Sequence, residues 1–193
     1  CKNPSLVTSL EQSCFTALFQ NCTGLITPPK LPATSIARDC YSNMFFYCTR
    51  LTTAPELPAT TLAFYCYGAM FMGCTSLTTA PEIPESVLYM GEAFEGCTSL
   101  KTYQGSTDAD GDFSNYIIPN SVTNMATAFY RCKSITTAPQ IPSGVTNVQG
   151  LFSYCSALEC EILIPCSATG SIYITPAIIK YYHVNTCDKL CNK

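Results

Sequence analysis

The sequence contains no tryptophan, a single histidine (His183) and only 12% charged residues, about half the usual share. Each shortage excludes something. With one histidine and no C-x-x-C pair, the ligand spacing of a zinc site is missing; Cys187-Asp188-Lys189-Leu190-Cys191 comes nearest and has no second pair close by. Ten Lys and Arg, scattered singly in a chain of net charge -3, form no basic stripe for a phosphate backbone, so nucleic acid is not an expected partner. No apolar run reaches the roughly 20 residues of a membrane-spanning helix. The N-terminus lacks the basic-then-apolar pattern of a signal peptide, so an exported form would already have lost its leader. Gly-rich phosphate loops, G-x-S-x-G and H-E-x-x-H are absent too. Carboxylate pairs such as Glu82 with Glu85, or Glu159 with Glu161, fall at repeat positions where solvated charge is expected. The expectation is a protein that is not an enzyme.

What the sequence has in excess is cysteine, fourteen residues against a background of 47% hydrophobic residues. A C-x-x-[L/I] unit recurs at Cys22, Cys48, Cys74, Cys97, Cys132 and Cys155, with spacings of 26, 26, 23, 35 and 23 by subtraction. A Phe stands three residues before each (Phe19, Phe45, Phe71, Phe94, Phe129, Phe152), and an apolar residue followed by Pro recurs downstream, as at Leu57-Pro58 and Ile83-Pro84. One copy cannot bury these side chains alone; stacked copies put like on like, so the period predicts a repeat solenoid. The Thr-rich run from Leu77 to Ile83 reads as a short extended segment, cut short by Pro81, which has no N–H to give to a parallel ladder. Val87, Met90 and Phe94 sit at helical spacing and predict a short helical turn in the other half of the coil.

Copies of 26 residues carry an extra cysteine eight before the repeat cysteine: Cys14, Cys40 and Cys66. Stacked coils would bring these within the Cα range of a disulfide, so they are disulfide candidates, together with Cys160, Cys166, Cys187 and Cys191 toward the C-terminus. The repeat cysteines themselves read as small buried groups. The expected division is an N-terminal cap at 1–13, repeats at 14–165 with a polar insertion loop near 104–115 that leaves the stack intact, and a Cys-containing cap at 166–193 with a strand at 171–175. Cys1 stands where a bacterial lipoprotein would carry its lipid.

Val122-Thr123-Asn124-Met125-Ala126-Thr127-Ala128-Phe129-Tyr130-Arg131-Cys132-Lys133-Ser134-Ile135 resembles the BspA-like leucine-rich repeat, whose unit reads roughly I-P-x-x-V-x-x-I-G-x-x-A-F-x-x-C-x-x-L. The resemblance spans about residues 14 to 165. It implies a leucine-rich-repeat-like right-handed coil with short parallel strands and short helical turns. It also implies an extracellular or cell-surface protein of the kind found on bacteria, protozoa and gut phage, associated with adhesion and protein binding. On that basis the expected role is adhesin-like recognition of a host or neighbouring protein or glycan along a repetitive face. The alternative is a structural piece of a phage fibre or surface filament, virion-associated and self-assembling.

The positions between the apolar ones supply the candidate face. These are Thr52, Thr53 and Glu56; Thr78, Thr79 and Glu82; Thr136, Thr137 and Gln140; and the turn tyrosines Tyr47, Tyr130 and Tyr154, rings with a polar tip suited to recognition. No cofactor is expected. Calcium is the one metal the pattern allows, through Asp108, Asp110 and Asp112, although the Gly and Glu of an EF-hand loop are replaced by Phe113 and Pro119.

Overall fold

The spacing of the repeat cysteines is also the spacing of the rungs. A computed structural model describes residues 9–106, 111–160 and 162–171 and the backbone of 182–184. Its strands are β1 (Ser9–Leu10), β2 (Ser35–Ile36), β3 (Thr61–Leu62), β4 (Thr79–Ala80), β5 (Thr102–Tyr103), β6 (Ile162–Ile164) and β7 (Tyr182–Val184). β1, β2 and β3 pair in parallel with Ser9 against Ser35 and Ser35 against Thr61, one 26-residue period apart. β4 pairs with β5 through Thr79 and Thr102, a 23-residue step, and single parallel bridges continue the stack through Tyr89, Asn124, Asn147 and Thr169. β4 stops at Pro81, where a ladder donor is lost.

The half of each coil before the cysteine corrects one expectation. No helical turn forms there: among the described residues no α- or 3-10 helix is present. The backbone instead makes consecutive turns whose N–H groups alternate between two destinations. In the first coil Leu18, Gln20 and Cys22 donate three residues back, to the carbonyls of Phe15, Ala17 and Phe19, at 3.0–3.2 Å. Ala17, Phe19 and Asn21 donate forward into the next coil, to the carbonyls of Ser42, Met44 and Phe46, at 2.8–2.9 Å. Turning every second N–H along the stack requires a left-handed residue at every fourth position, and Ser13, Ala17 and Asn21 have φ of 56°, 55° and 60°. The side chains then point inward with a period of four along each coil: Tyr41 and Phe45 form one such row, Cys40, Met44 and Cys48 another, all at most 1% exposed. Over two turns a period of four is close enough to 3.6 to imitate a helix in the sequence.

The core is one continuous cluster from Leu10 to Ile164. Its axis is a phenylalanine ladder, Phe19, Phe45, Phe71, Phe94, Phe129 and Phe152, with successive centroids 5.4–5.7 Å apart and ring planes within 17°. A second column, Phe15, Tyr41 and Tyr67, stacks at 6.2 and 6.1 Å in the 26-residue coils only. Beside the ladder runs a row of thiols. The Sγ–H of Cys48, Cys74, Cys97, Cys132 and Cys155 each donates to the Phe carbonyl of the preceding coil, at 2.9–3.1 Å. The same carbonyl accepts the N–H of its own coil's cysteine, as in Cys48 to Phe45 at 3.0 Å, so both lone pairs are used.

The insertion does more than bulge. Phe113 is fully buried against Tyr103, Tyr116 and the edge of Phe129, and Tyr116 is buried with its Oη–H donating to the Pro81 carbonyl at 2.7 Å. The Gly111 carbonyl accepts the Thr136 N–H at 2.8 Å, so a residue of the insertion becomes the rung beneath the next coil. Gly111 has φ +86°, and a Cβ there would lie 2.3 Å from the Ser134 carbonyl oxygen, so no other residue fits. Toward the C-terminus the stacking runs past the expected start of the cap at Cys166: Val148 and Gly150 donate to the carbonyls of Thr169 and Ser171, at 3.0 and 2.8 Å. Of the expected strand at 171–175, all but Ser171 lies outside the described residues.

Candidate functional site

The threonines of the expected face divide by what their hydroxyls do. Thr52 and Thr78, four residues after the repeat cysteine, donate to the preceding coil, to the carbonyls of Ile26 and Thr52, at 3.3 and 3.1 Å. The same stapling recurs one face along, where Thr146 donates to the Thr123 carbonyl at 3.1 Å and Thr169 to that of Thr146 at 3.0 Å. Thr53 and Thr79 bridge through their backbones. Thr137 is drawn into the insertion, its Oγ1 accepting the N–H groups of Phe113 at 2.7 Å and Ser114 at 3.1 Å and meeting the Asp112 carboxylate. Thr136 is half-buried beside it. A β-branched hydroxyl residue suits a strand edge, and here the hydroxyl also seals one coil to the next.

Glu56, Glu82 and Gln140 behave differently. All three are exposed, stand eight residues after a repeat cysteine, and line three grooves along the proline-bearing edge of the stack. The first groove, about 320 Å³, lies between Lys30 and Glu56 among Pro28, Pro55 and Pro58. The second, about 350 Å³, is walled by Glu82, Glu85 and Tyr103. The third, about 720 Å³, runs between the insertion and Gln140, Ile141 and Leu163. Lys30 and Leu163 occupy the same offset from Cys22 and Cys155, so the column of residues eight past the cysteine is the edge itself. Sequence reasoning missed Lys30, Leu163 and Ile117, although the first two were recoverable from that offset.

The tyrosines gather at another corner, next to the repeat cysteine. Arg131 lies 5.1 Å from the ring centroid of Tyr130 and 5.7 Å from that of Tyr154, and the two rings meet edge to face at 5.3 Å. Tyr47 and Tyr154 are about half exposed, and a shallow groove of about 280 Å³ brings Tyr47, Glu95, Arg131 and Lys133 together. Gly73, at φ +74°, lies under the Tyr47 ring, whose carbons a Cβ would meet at 2.9 Å. Burial pushes the Glu95 carboxyl above the usual range, against a bond from Thr127 that lowers it. No described groove holds both these tyrosines and the glutamates of the proline edge.

The cysteines form a gradient. Cys14 and Cys22 are exposed free thiols, while Cys40 and Cys66 are buried free thiols that donate to backbone carbonyls, Cys40 to Glu11 at 2.6 Å and Cys66 to Ala63 at 2.7 Å. Cys160 is a half-buried free thiol whose Sγ accepts the Ala138 N–H at 2.9 Å. Cys166 is disulfide-bonded, and Cys187 and Cys191 lie outside the described residues. Desolvation pushes Cys48 and Cys66 up to about 11 and Cys155 up to about 12, and holds Cys97 and Cys132 well above the ordinary thiol value. Of the calcium candidates, Asp108 and Asp110 lie outside the described residues. Asp112 Oδ1 accepts the Ser114 N–H at 2.8 Å, and bonds from Thr137 and then Ser114 hold its carboxyl below the usual range. Among the described residues no three His, Cys, Asp or Glu side chains converge on one point, and no helix is long and apolar enough to cross a membrane.

A family model described as the BspA type leucine rich repeat region matches residues 2–109 and 105–172, in six copies. No curated protein and no solved structure matches the chain.

Proposed function

The chain belongs to the BspA-type leucine-rich repeat family, whose repeats make protein-binding modules, and from that premise we propose that it is a non-catalytic, adhesin-like module acting at a cell surface. It recognises a host or neighbouring protein or glycan along the proline-bearing edge. The observation that carries this reading is the column eight residues past the repeat cysteines, where Lys30, Glu56, Glu82, Gln140 and Leu163 line successive grooves. The Thr52 and Thr78 hydroxyls are taken up in holding coils together, so the glutamates and glutamine carry the contact. Affinity is shared among modest contacts repeated along the stack.

The test is binding of the whole chain to immobilised extracellular-matrix proteins and to a glycan array, with Glu56→Ala, Glu82→Ala and Gln140→Ala introduced singly and together. Binding that falls stepwise as the three are combined is the expected result. No binding on either panel, or binding indifferent to the triple variant, overturns the reading. End-to-end filaments in electron micrographs, in place of any ligand, would make the chain a fibre component.

A further inference from the structure

We infer that the groove flanking the insertion binds an extended peptide segment of a partner protein, one that sets a basic side chain near an apolar one. This rests on the binding-module reading above and narrows it to a single partner class. The insertion is the largest departure from the period, 35 residues between Cys97 and Cys132 against 23 for the coils on either side. Insertions in repeat arrays map to loops on one face, often the face that meets ligands. Here the insertion holds the segment around Asn115, Tyr116 and Ile117 between two grooves, which share those three residues as a common wall.

Three properties of that wall describe the occupant. It is rigid, because Tyr116 is anchored by its bond to the Pro81 carbonyl and Phe113 is locked under Phe129, so little ordering is left to do on binding. It is apolar on one side: Ile117 is 73% exposed, the highest of any large hydrophobic residue described, and Leu163, 47% exposed, lines the same groove. It is acidic on the other side, where Glu82 and Glu85 line the smaller groove and no Lys or Arg lines either one. Among the described residues neither glutamate has an ion-pair partner within 4.0 Å. An occupant placing an aliphatic side chain on Ile117 and a cation between the glutamates complements both.

The backbone selects peptide over sugar. Among the described residues, the N–H groups of Ile117, Ile118, Gln140 and Ile141 donate no hydrogen bond, because prolines 119 and 142 keep these segments extended and out of the coil-to-coil ladder. An extended peptide brings carbonyls at matching intervals. A glycan would want an open aromatic face, and the Tyr116 ring is buried, packed by Phe113 at 5.3 Å and Tyr103 at 5.2 Å.

The experiment is fluorescence anisotropy of labelled synthetic peptides with the whole chain. Each peptide carries one Leu or Phe and one Lys at varied spacing, with a matched set in which Glu replaces Lys. The Lys set should bind and the Glu set should not. Ile117→Asp should weaken binding about tenfold or more, and the pair Glu82→Lys with Glu85→Lys should reverse the preference toward the Glu set. All three positions are at the surface, and unchanged urea midpoints would show that the variants fold. No binding by any peptide, or binding indifferent to Ile117→Asp or to charge reversal, overturns the proposal. If Ile117→Asp leaves matrix-protein or glycan binding intact, the groove proposal falls while the broader reading stands.

Discussion

Replacing Cys97 separates two accounts of the thiol row. Its side chain is fully buried and its Sγ–H reaches the Phe71 carbonyl at 3.1 Å. Cys97→Ala removes a sulfur whose burial is comparable to a methylene, about 0.8 kcal/mol, and leaves a small cavity and a lost weak bond, together about 1 kcal/mol. The Phe71 carbonyl is not orphaned, since it still accepts the Cys74 N–H at 3.0 Å. The sum is about 2 kcal/mol, or a Tm lower by about 4–8 °C for a chain of this size. Serine should be worse than alanine. Its C–O bond is roughly 0.4 Å shorter than C–S, which puts the oxygen about 3.5 Å from its acceptor, beyond a good O–H···O bond. A buried hydroxyl left short of its partner costs a further ~1–3 kcal/mol. At the exposed end of the row, Cys22→Ala should cost under about 0.5 kcal/mol. Urea unfolding followed by far-UV circular dichroism and tyrosine fluorescence, which no tryptophan obscures, gives the comparison. If serine matches or exceeds alanine at position 97, the thiol is acting as a polar rung and not as a fitted apolar one. If Cys22→Ala costs as much as Cys97→Ala, the burial gradient is wrong.

Native labelling with a thiol reagent should modify Cys14 and Cys22 quickly and Cys74, Cys97, Cys132 and Cys155 only after denaturant is added; raising the pH to about 9 should not open them, because burial holds Cys155 up to about 12. Gly111→Ala meets both the left-handed φ and the Ser134 carbonyl and should destabilise by about 2 kcal/mol or more, with the Thr136 amide losing hydrogen-exchange protection ahead of the rest. Tyr67→Phe deletes a buried hydroxyl that has no partner among the described residues and should stabilise by about 1 kcal/mol, read as a Tm increase of about 2–4 °C. The Asp112 carboxyl is depressed in the folded state, so what it contributes is present above its ordinary value of 3.8 and is lost as pH falls through the lower folded value; acid should loosen the Ser114 and Phe113 amides by exchange, and Asp112→Asn should loosen them already at neutral pH.

The period was the most legible feature, because residues at equal offsets from Cys74 in neighbouring copies stack and the offset itself survives in the registers. The turn half was misread at Val87, Met90 and Phe94. Three inward positions cannot separate a repeat of four from one of 3.6, and the signs that decide it, left-handed backbone at Ala17, Tyr47 or Arg131, attach to residues with no special preference for it. Threonine was misread for a different reason. Propensity places Thr52 and Thr78 at a strand edge correctly but says nothing of where the hydroxyl points, and the carbonyl one coil below that accepts each threonine's own N–H also accepts its hydroxyl. The insertion is polar at its tip and apolar at Phe113 and Tyr116, and composition averaged over both concealed the part that enters the core.

The thiol row has a consequence for where such a chain can work. Disulfide exchange and oxidation proceed through the thiolate, so reactivity follows the ionised fraction and access together. With Cys48 raised to about 11 the ionised fraction at neutral pH is about 10⁻⁴, and the rungs deeper in the stack are higher still and closed to solvent. Free cysteines held in this way are inert in an oxidising medium, so an unpaired row is compatible with a surface location that a count of cysteines alone would tie to disulfides. Among the described cysteines the exposure falls instead on Cys14 and Cys22 in the first described coil, so of these thiols they, and not the rungs of the repeat interior, are where oxidation would begin.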